Sequence, residues 1–324
     1  MSTELLNLLA DGEYHSGQEL AAVLGVSRTA VWKQLGKFDA LGLSVESIRG
    51  KGYRLPGGVQ LLDKARVVNA MRPANRKLLA DIELHETVDS TNTIAMKLAN
   101  NGPVHAHAVV AEQQTAGRGR RGRKWISPYA SNIYLSLVWD FDGGAAALEG
   151  LSLAVGVAMV EALSALGIEG CGLKWPNDVL VGGRKLGGIL LEMTGDASGN
   201  CSVVIGVGLN IAMPGEAGRQ IDQAWVDVRS LPGGEALNRN EVLAALLDHL
   251  LPAMETFSQF GFSVFKDRWT ALDIAAGQSV TVLLGQNEVP GVAMGVNDSG
   301  ALQLQTADGL QAFHGGEVSL RGLS

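Results

Sequence analysis

Cysteine is nearly absent from this chain of 324 residues. Cys171 and Cys201 lie far apart, which excludes a disulfide framework and a multi-cysteine metal site; two buried thiols are expected. No secretory leader is expected, because Met1–Ala10 has no basic stretch followed by a long apolar one. No apolar run suits a membrane span, since the richest window, Leu148–Leu166, is broken by Gly150, Ser152, Gly156, Glu161 and Ser164. A cytoplasmic protein without a membrane partner is the expectation. Positive charge is also short: the net charge of −7 excludes a protein that coats nucleic acid over its whole surface, so any such contact is local. What the chain has is core-forming material, 46% hydrophobic residues, enough for two or three domains.

The first sixty residues read as short helices followed by a hairpin. Leu5, Leu8 and Leu9 mark a first helix that Gly12 can end. Ser16 can cap a second, with Leu20, Ala21 and Leu24 on one face and Gly25 in the turn after it. Ser27 can cap a third, whose Val31, Leu35 and Phe38 face inward while Arg28, Thr29, Trp32, Lys33 and Lys37 lie mostly outside. This is the layout of a helix-turn-helix. Strands at Leu43–Ile48 and Tyr53–Leu55 around Arg49-Gly50-Lys51-Gly52 add a wing. Arg28, Thr29, Trp32 and Lys33 are candidates for the DNA major groove, with Arg49 and Lys51 near phosphate; the alternative is a unit that only packs against its neighbour.

Pro56-Gly57-Gly58 reads as a break between domains. The expected boundaries are 1–58, 63–272 and 273–324. In the middle unit strands are expected at Ala108–Ala111, Asn132–Trp139, Leu186–Met193 and Val203–Leu209, the last two flanking a turn cluster at Gly195–Asn200. Helices are expected at Thr91–Leu98, Leu148–Leu166 and Glu241–Phe260, with Pro252 able to kink the last. Adjacent strand pairs point to a mixed sheet in an α+β multidomain chain. Beyond Gly277, short runs at Val280–Leu284, Gly291–Val296 and Ala301–Thr306 between Gly, Asn and Asp turns read as a small all-β unit.

Against the acidic background, Arg118, Arg120, Arg121, Arg123 and Lys124 place five cations within seven residues. Their alternation with Gly117, Gly119 and Gly122 lets backbone approach a ligand while guanidinium groups offer forked donors to phosphate or carboxylate. A solvated or polyanion-binding loop is the alternative; a Walker loop is excluded because the GxxxxGK[ST] spacing is missing. Asp89-Ser90-Thr91-Asn92 precedes a helical window, so it either caps that helix or uses the same free amides and hydroxyls to grip a compact polar ligand. Lys174-Trp175-Pro176-Asn177-Asp178 and Arg184-Lys185-Leu186-Gly187-Gly188 flank the Gly182-Gly183 turn. They are hairpin punctuation, or they bring an ammonium and a carboxylate to one end of the sheet.

In this order these segments, with Gln114 and Gly206-Val207-Gly208-Leu209-Asn210, resemble the bacterial bifunctional biotin–protein ligase and biotin-operon repressor family over almost the whole chain. The resemblance implies an N-terminal winged helix-turn-helix, a central mixed α/β ligase domain and a small C-terminal SH3-like β-barrel. It implies that biotin is activated by Mg-ATP to biotinyl-AMP and passed to a lysine of a biotin carboxyl carrier protein, and that biotinyl-AMP also promotes homodimerisation on operator DNA.

By the same resemblance, Ser90, Thr91, Asn92, Gln114 and the backbone of Arg118, Gly119 and Arg120 hold the biotin ring. Lys185 sits at its carboxylate, and Gly188, Gly206 and Gly208 line the pocket. Arg118, Arg120, Arg121, Trp125, Asn177, Lys185 and Asn210 are expected around the adenylate. Lys185, Arg118, Arg120 and Asp178 are the expected catalytic set; for Asp178, orienting the acceptor amine stands beside turn capping. Met213–Trp225 matches a second ordering loop but departs in sequence, and Gln113 stands one register from Gln114. No metal ligands are assigned.

Three other classes share part of the pattern. A lipoate or octanoate ligase would use the same acyl-adenylate logic without this Gly-Arg loop and Ser90-Thr91-Asn92. A non-catalytic repressor would bind biotin without releasing pyrophosphate. A metal hydrolase would need a third ligand beside His105 and His107, and none is near in sequence.

Overall fold

In a computed structural model of the chain, residues 3–196, 199–285, 287–315 and 318–321 are described. Helices α1 (Thr3–Leu9), α2 (Gly17–Val23) and α3 (Arg28–Leu35) open the chain. Ser16 and Glu19 form a reciprocal cap on α2, and Ser27 Oγ accepts from the Ala30 amide at 3.2 Å on α3. Leu5, Leu6 and Leu9 pack with Val31, Leu35 and Phe38, so Leu6 joins the first-helix stripe while Leu8 is only half-buried. The wing strands are β1 (Glu46–Ile48) and β2 (Gly52–Arg54), with Ser47 opposite Tyr53. The first strand is shorter than expected at its start, because the Leu43 amide bonds back to Phe38 O at 3.0 Å. The wing is tied to α2 by paired backbone bonds between His15 and Tyr53, each 2.9 Å. Gly52 is required there, since a Cβ would stand 2.1 Å from His15 O.

The chain then passes through α4 (Lys64–Ala70) and α5 (Pro73–Arg76) into β3 (Asp81–Val88), α6 (Thr91–Asn101), β4 (His107–Gln114) and β5 (Ile133–Phe141). After α7 (Leu151–Ala165) come β6 (Cys171–Lys174), β7 (Asp178–Val181), β8 (Arg184–Gly195) and β9 (Cys201–Leu209), then α8 (Gly215–Gly218) and α9 (Arg239–Phe260). Of the expected turn cluster Gly195–Asn200, residues 197 and 198 lie outside the described set. The seven strands form one mixed sheet in the order β3-β4-β5-β9-β8-β7-β6, parallel only between β3 and β4, where α6 makes the crossover. Edge strand β3 is absent from the sequence reading because Asp81, Glu83, His85 and Glu86 interrupt its apolar pattern.

Helices α7 and α9 pack together over one face of this sheet. Helix α6 covers part of the other, with Ala95 against Val109, Val138 and Val204. Strand alternation puts Ser136, Gly206 and Gly208 on that same second face. Helix α9 runs through Pro252 as one element. The proline cannot bond to the carbonyl four residues back, and that freed acceptor, Asp248 O, takes a bond from Asn75 Nδ2 at 2.9 Å.

After α10 (Lys266–Leu272), the strands β10 (Ser279–Leu284), β11 (Asn287–Val296), β12 (Leu302–Thr306), β13 (Gly309–Phe313) and β14 (Val318–Arg321) pair antiparallel in the order β13-β12-β11-β10-β14. This sheet leans on the central unit through Trp175, which is buried and donates from Nε1 to Gly300 O at 3.1 Å. Among the described residues no helix is long and apolar enough to cross a membrane.

A buried ion pair holds residues 60–63, between the wing and α4. Arg239, 1% exposed, meets Glu112, 6% exposed, at 2.7 Å. Arg239 also donates to the carbonyls of Asn132 and Gln60, and Glu112 accepts from the Leu62 amide. Asn240 completes the clamp by accepting from the Asp63 amide and donating to Leu61 O.

Candidate active site

The Gly117–Trp125 loop is a small hairpin. Arg121 (φ 58°) and Gly122 (φ 70°) turn the chain, the Arg123 amide bonds Arg120 O at 3.3 Å, and the Gly119 amide bonds Arg123 O at 2.8 Å. It closes over a cavity of about 710 Å³ on the α6 face of the sheet. All the biotin, adenylate and catalytic candidates, from Ser90 to Asn210, line this one cavity, as do Lys174, Ile189 and Leu190.

One end is polar and nearly neutral. Gln114 Oε1 accepts from the Thr91 amide at 2.9 Å and hydroxyl at 3.2 Å, while its Nε2 donates to Ser127 at 3.0 Å. Gln113 instead pairs with Thr87, so Gln114 is the glutamine of the cavity. Ser136 Oγ lies 2.6 Å from Asn92 Oδ1 and 2.8 Å from Thr91 Oγ1. Asn92 Nδ2 donates to Glu192 Oε2 at 2.7 Å, and the same oxygen accepts from Arg118 at 3.1 Å. The floor is glycine because nothing larger fits: a Cβ on Gly206 would stand 2.4 Å from Asn92 Oδ1, and one on Gly208 2.5 Å from the Trp125 indole.

The other end is cationic. Lys185 Nζ lies 2.7 Å from Asp178 Oδ1 across the β7–β8 hairpin and 5.5 Å above the Trp125 ring. Burial holds the Lys174 ammonium below its usual pKa; Asp178 opposes that shift, and Lys185 and Arg123 add to it. Burial likewise lowers Arg120, whose guanidinium donates to Asn177 Oδ1 at 3.0 Å and to Gly315 O in the turn after β13. The cis Trp175-Pro176 bond leads into Asn177, which exchanges bonds with the backbone of Ile189. The Met213–Trp225 segment is pinned beside this end, with the Lys185 amide bonding Ala224 O at 2.9 Å and Asn210 Nδ2 bonding Val226 O at 3.2 Å. An end rich in ammonium and guanidinium groups suits two anions brought together, and the neutral end suits a compact polar ring.

This cavity and fold recur in known proteins. Residues 84–210 match the Biotin/lipoate A/B protein ligase family, residues 276–321 the Biotin protein ligase C terminal domain, and residues 2–54 an HTH domain. The bifunctional ligase/repressor BirA of Salmonella typhimurium is 41% identical over 318 residues, covering 98% of this chain and 96% of its own. The chain belongs to the BirA family. BirA of Escherichia coli is 38% identical with the same coverages. The biotin protein ligase of Aquifex aeolicus in complex with biotin and ATP superposes with a TM-score of 0.63 at 28% identity, over 75% of this chain and 99% of that one.

Arg28, Thr29, Trp32 and Lys33 on α3 and Arg49 and Lys51 in the wing all lie exposed, apart from the cavity. Trp32 is 64% exposed, unusual for an indole that only packs. Among the groups that hydrogen-bond to the cavity-lining side chains, sequence reasoning missed Ser127, Ser136, Glu192 and the carbonyl of Gly315. Glu192 left one signal, a lone carboxylate inside the apolar run of β8.

Proposed function

We propose that this BirA-family chain activates biotin with ATP and transfers it to a carrier-protein lysine, and that the same intermediate makes it a repressor of biotin genes. The observation that carries the reading is a single cavity with a neutral hydrogen-bonding floor at one end and clustered cations at the other. The biotin ring is assigned to the end formed by Ser90, Thr91, Asn92, Gln114, the Arg118–Arg120 backbone, Gly188, Gly206 and Gly208. Its carboxylate is assigned to Lys185, with the nucleotide beside Arg120, Arg121, Trp125, Asn177 and Asn210.

In the first step a biotin carboxylate oxygen attacks the α-phosphorus, the bond to the β-phosphate oxygen breaks, and pyrophosphate leaves. In the second, an acceptor lysine amine attacks the acyl carbon, the bond to AMP breaks, and the amine gives up a proton. The protein's part is to hold two anions in line and offset their repulsion, which Lys185 and Arg120 do. Asp178 fixes the Lys185 ammonium and faces the acceptor amine. Magnesium arrives with ATP, held mainly by its phosphates.

The remaining assignments belong to the same proposal. Units 1–58, 63–272 and 273–324 divide the work, the last as an SH3-like barrel. Arg28, Thr29, Trp32, Lys33, Arg49 and Lys51 contact operator DNA, and biotinyl-AMP promotes a homodimer whose two winged helices reach a two-fold operator. Reliance on ATP and DNA puts the protein in the cytoplasm.

The test is the intact mass of a biotin-accepting carrier domain after incubation with the chain, biotin and Mg-ATP. An ATP-dependent gain of one biotinyl group is expected; no gain on a competent acceptor contradicts the reading.

A further inference from the structure

The cations of the glycine-arginine hairpin do not all face the anion end. Arg120 reaches Asn177 and Gly315 at the end that holds Asp178, whereas Arg118 turns to Glu192 and Thr93 at the opposite, neutral end. Glu192 is only 28% exposed, and its Oε2 takes two bonds at once, from the hairpin's Arg118 and from Asn92, itself 4% exposed. With Nδ2 committed to Glu192 and Oδ1 to Ser136, the Asn92 amide has one orientation above the Gly206 floor.

We propose that Glu192 is a positioning residue that latches the glycine-arginine hairpin to the wall of the biotin end and fixes the Asn92 amide there. Arg118 then works as the hairpin's latch, its charge answered by a carboxylate, and leaves the anions to Arg120, Lys174 and Lys185. This rests on the biotin-ligase reading and deepens it: one carboxylate couples closure of the hairpin to readiness of the ring-binding floor. The pair differs from an ordinary surface ion pair, which contributes little, because its acceptor is shared with a buried amide that needs a partner.

The experiment uses the full chain carrying Glu192→Ala, Glu192→Gln, Arg118→Ala, or Arg118→Ala with Glu192→Ala. Three quantities are read: biotin KM against kcat, KM for ATP, and the rate of tryptic cleavage at the exposed Arg121, Arg123 and Lys124 without ligand. For Glu192→Ala the biotin KM is expected to rise roughly ten- to thirty-fold, the loss of a charge-assisted hydrogen bond, with kcat and KM for ATP within about two-fold. Cleavage of its hairpin is expected to quicken several-fold. Glu192→Gln should fall between parent and Ala, since an amide oxygen still accepts from Asn92 while the charge that holds Arg118 is gone. The double variant should be cleaved no faster than Glu192→Ala alone, because the two residues act as one latch.

A biotin KM and cleavage rate equal to the parent's in Glu192→Ala overturn the latch. So does a kcat that falls as far as KM rises together with a lowered melting midpoint, the mark of a merely structural carboxylate. Failure of the parent to label an acceptor removes the ligase reading instead, and the cleavage ratios still decide the latch.

Discussion

Replacing Arg239 by Met should be among the most damaging single changes away from the cavity. The side chain is 1% exposed and donates to Asn132 O from Nε and from one terminal nitrogen, at 3.1 and 2.7 Å, and to Gln60 O and Glu112 from the other, at 2.5 and 2.7 Å. Methionine fills much of the same volume, so the loss is chiefly electrostatic. Glu112 is left buried with its bond from the Leu62 amide but without its cation, and the buried Asn132 carbonyl and half-buried Gln60 carbonyl lose their guanidinium partner. Breaking one side of a buried pair costs about 3–5 kcal/mol. At a urea slope of ~2–3 kcal/mol per molar, that moves the midpoint down by on the order of 1.5 M. Limited proteolysis should show a second effect, because Gln60–Asp63 loses its anchor: cleavage there should quicken relative to the parent. Adding Glu112→Gln should restore about 2 kcal/mol, since the amide keeps a bond from Leu62 without an unpaired charge. A midpoint within ~0.3 M of the parent, or a double variant as weak as the summed single losses, refutes the reasoning.

Three other outcomes follow from the geometry. Gly206→Val puts a Cβ 2.4 Å from Asn92 Oδ1, so the biotin KM should rise roughly 10–100-fold by steady-state kinetics while the fold keeps its circular dichroism. In the exposed turn of the wing, Lys51→Ala should weaken operator binding, lower the salt slope of log K by about 1, and leave biotin transfer within about two-fold; an unchanged slope removes the phosphate contact. Burial pushes the Cys171 thiol up to about 11, with Glu169 adding to the shift. At pH 8 only about one molecule in a thousand is thiolate there, so alkylation should be slow and rise ~ten-fold per pH unit until about pH 11; rapid labelling of Cys171 at pH 8 contradicts this.

The sequence was legible where local chemistry and local structure coincide. Ser16 and Ser27 cap the helices they precede, the α3 stripe separates buried Val31 and Leu35 from exposed Trp32, and the cavity segments from Ser90 to Asn210 meet as their order suggested. It was silent where a partner arrives from far along the chain. Glu112 and Arg239 are 127 residues apart, and neither looks different from a surface charge until β4 and α9 enclose both. Glu192 is a lone carboxylate in the apolar run of β8, and its partner Asn92 arrives from 100 residues away on α6. Strand β3 escaped because an edge tolerates charge on a face that a central strand must keep apolar, and β13 because only Phe313 of its five residues is buried. The Gly-Arg segment was read as a ligand loop, and its hairpin turn depended on Arg121 accepting a left-handed conformation that residue type does not announce.

In the proposed reaction one cavity joins a carboxylate to a phosphate and then keeps the product. The most direct test is rapid-quench measurement of pyrophosphate from the chain with biotin and Mg-ATP but no acceptor. The parent should release about one pyrophosphate per active site in a burst and then nearly stop, with biotinyl-AMP retained, and Lys185→Ala should slow that burst ~10²–10³-fold. Acceptor labelling by a parent that shows no such burst, or a Lys185→Ala burst at the parent's rate, would contradict it.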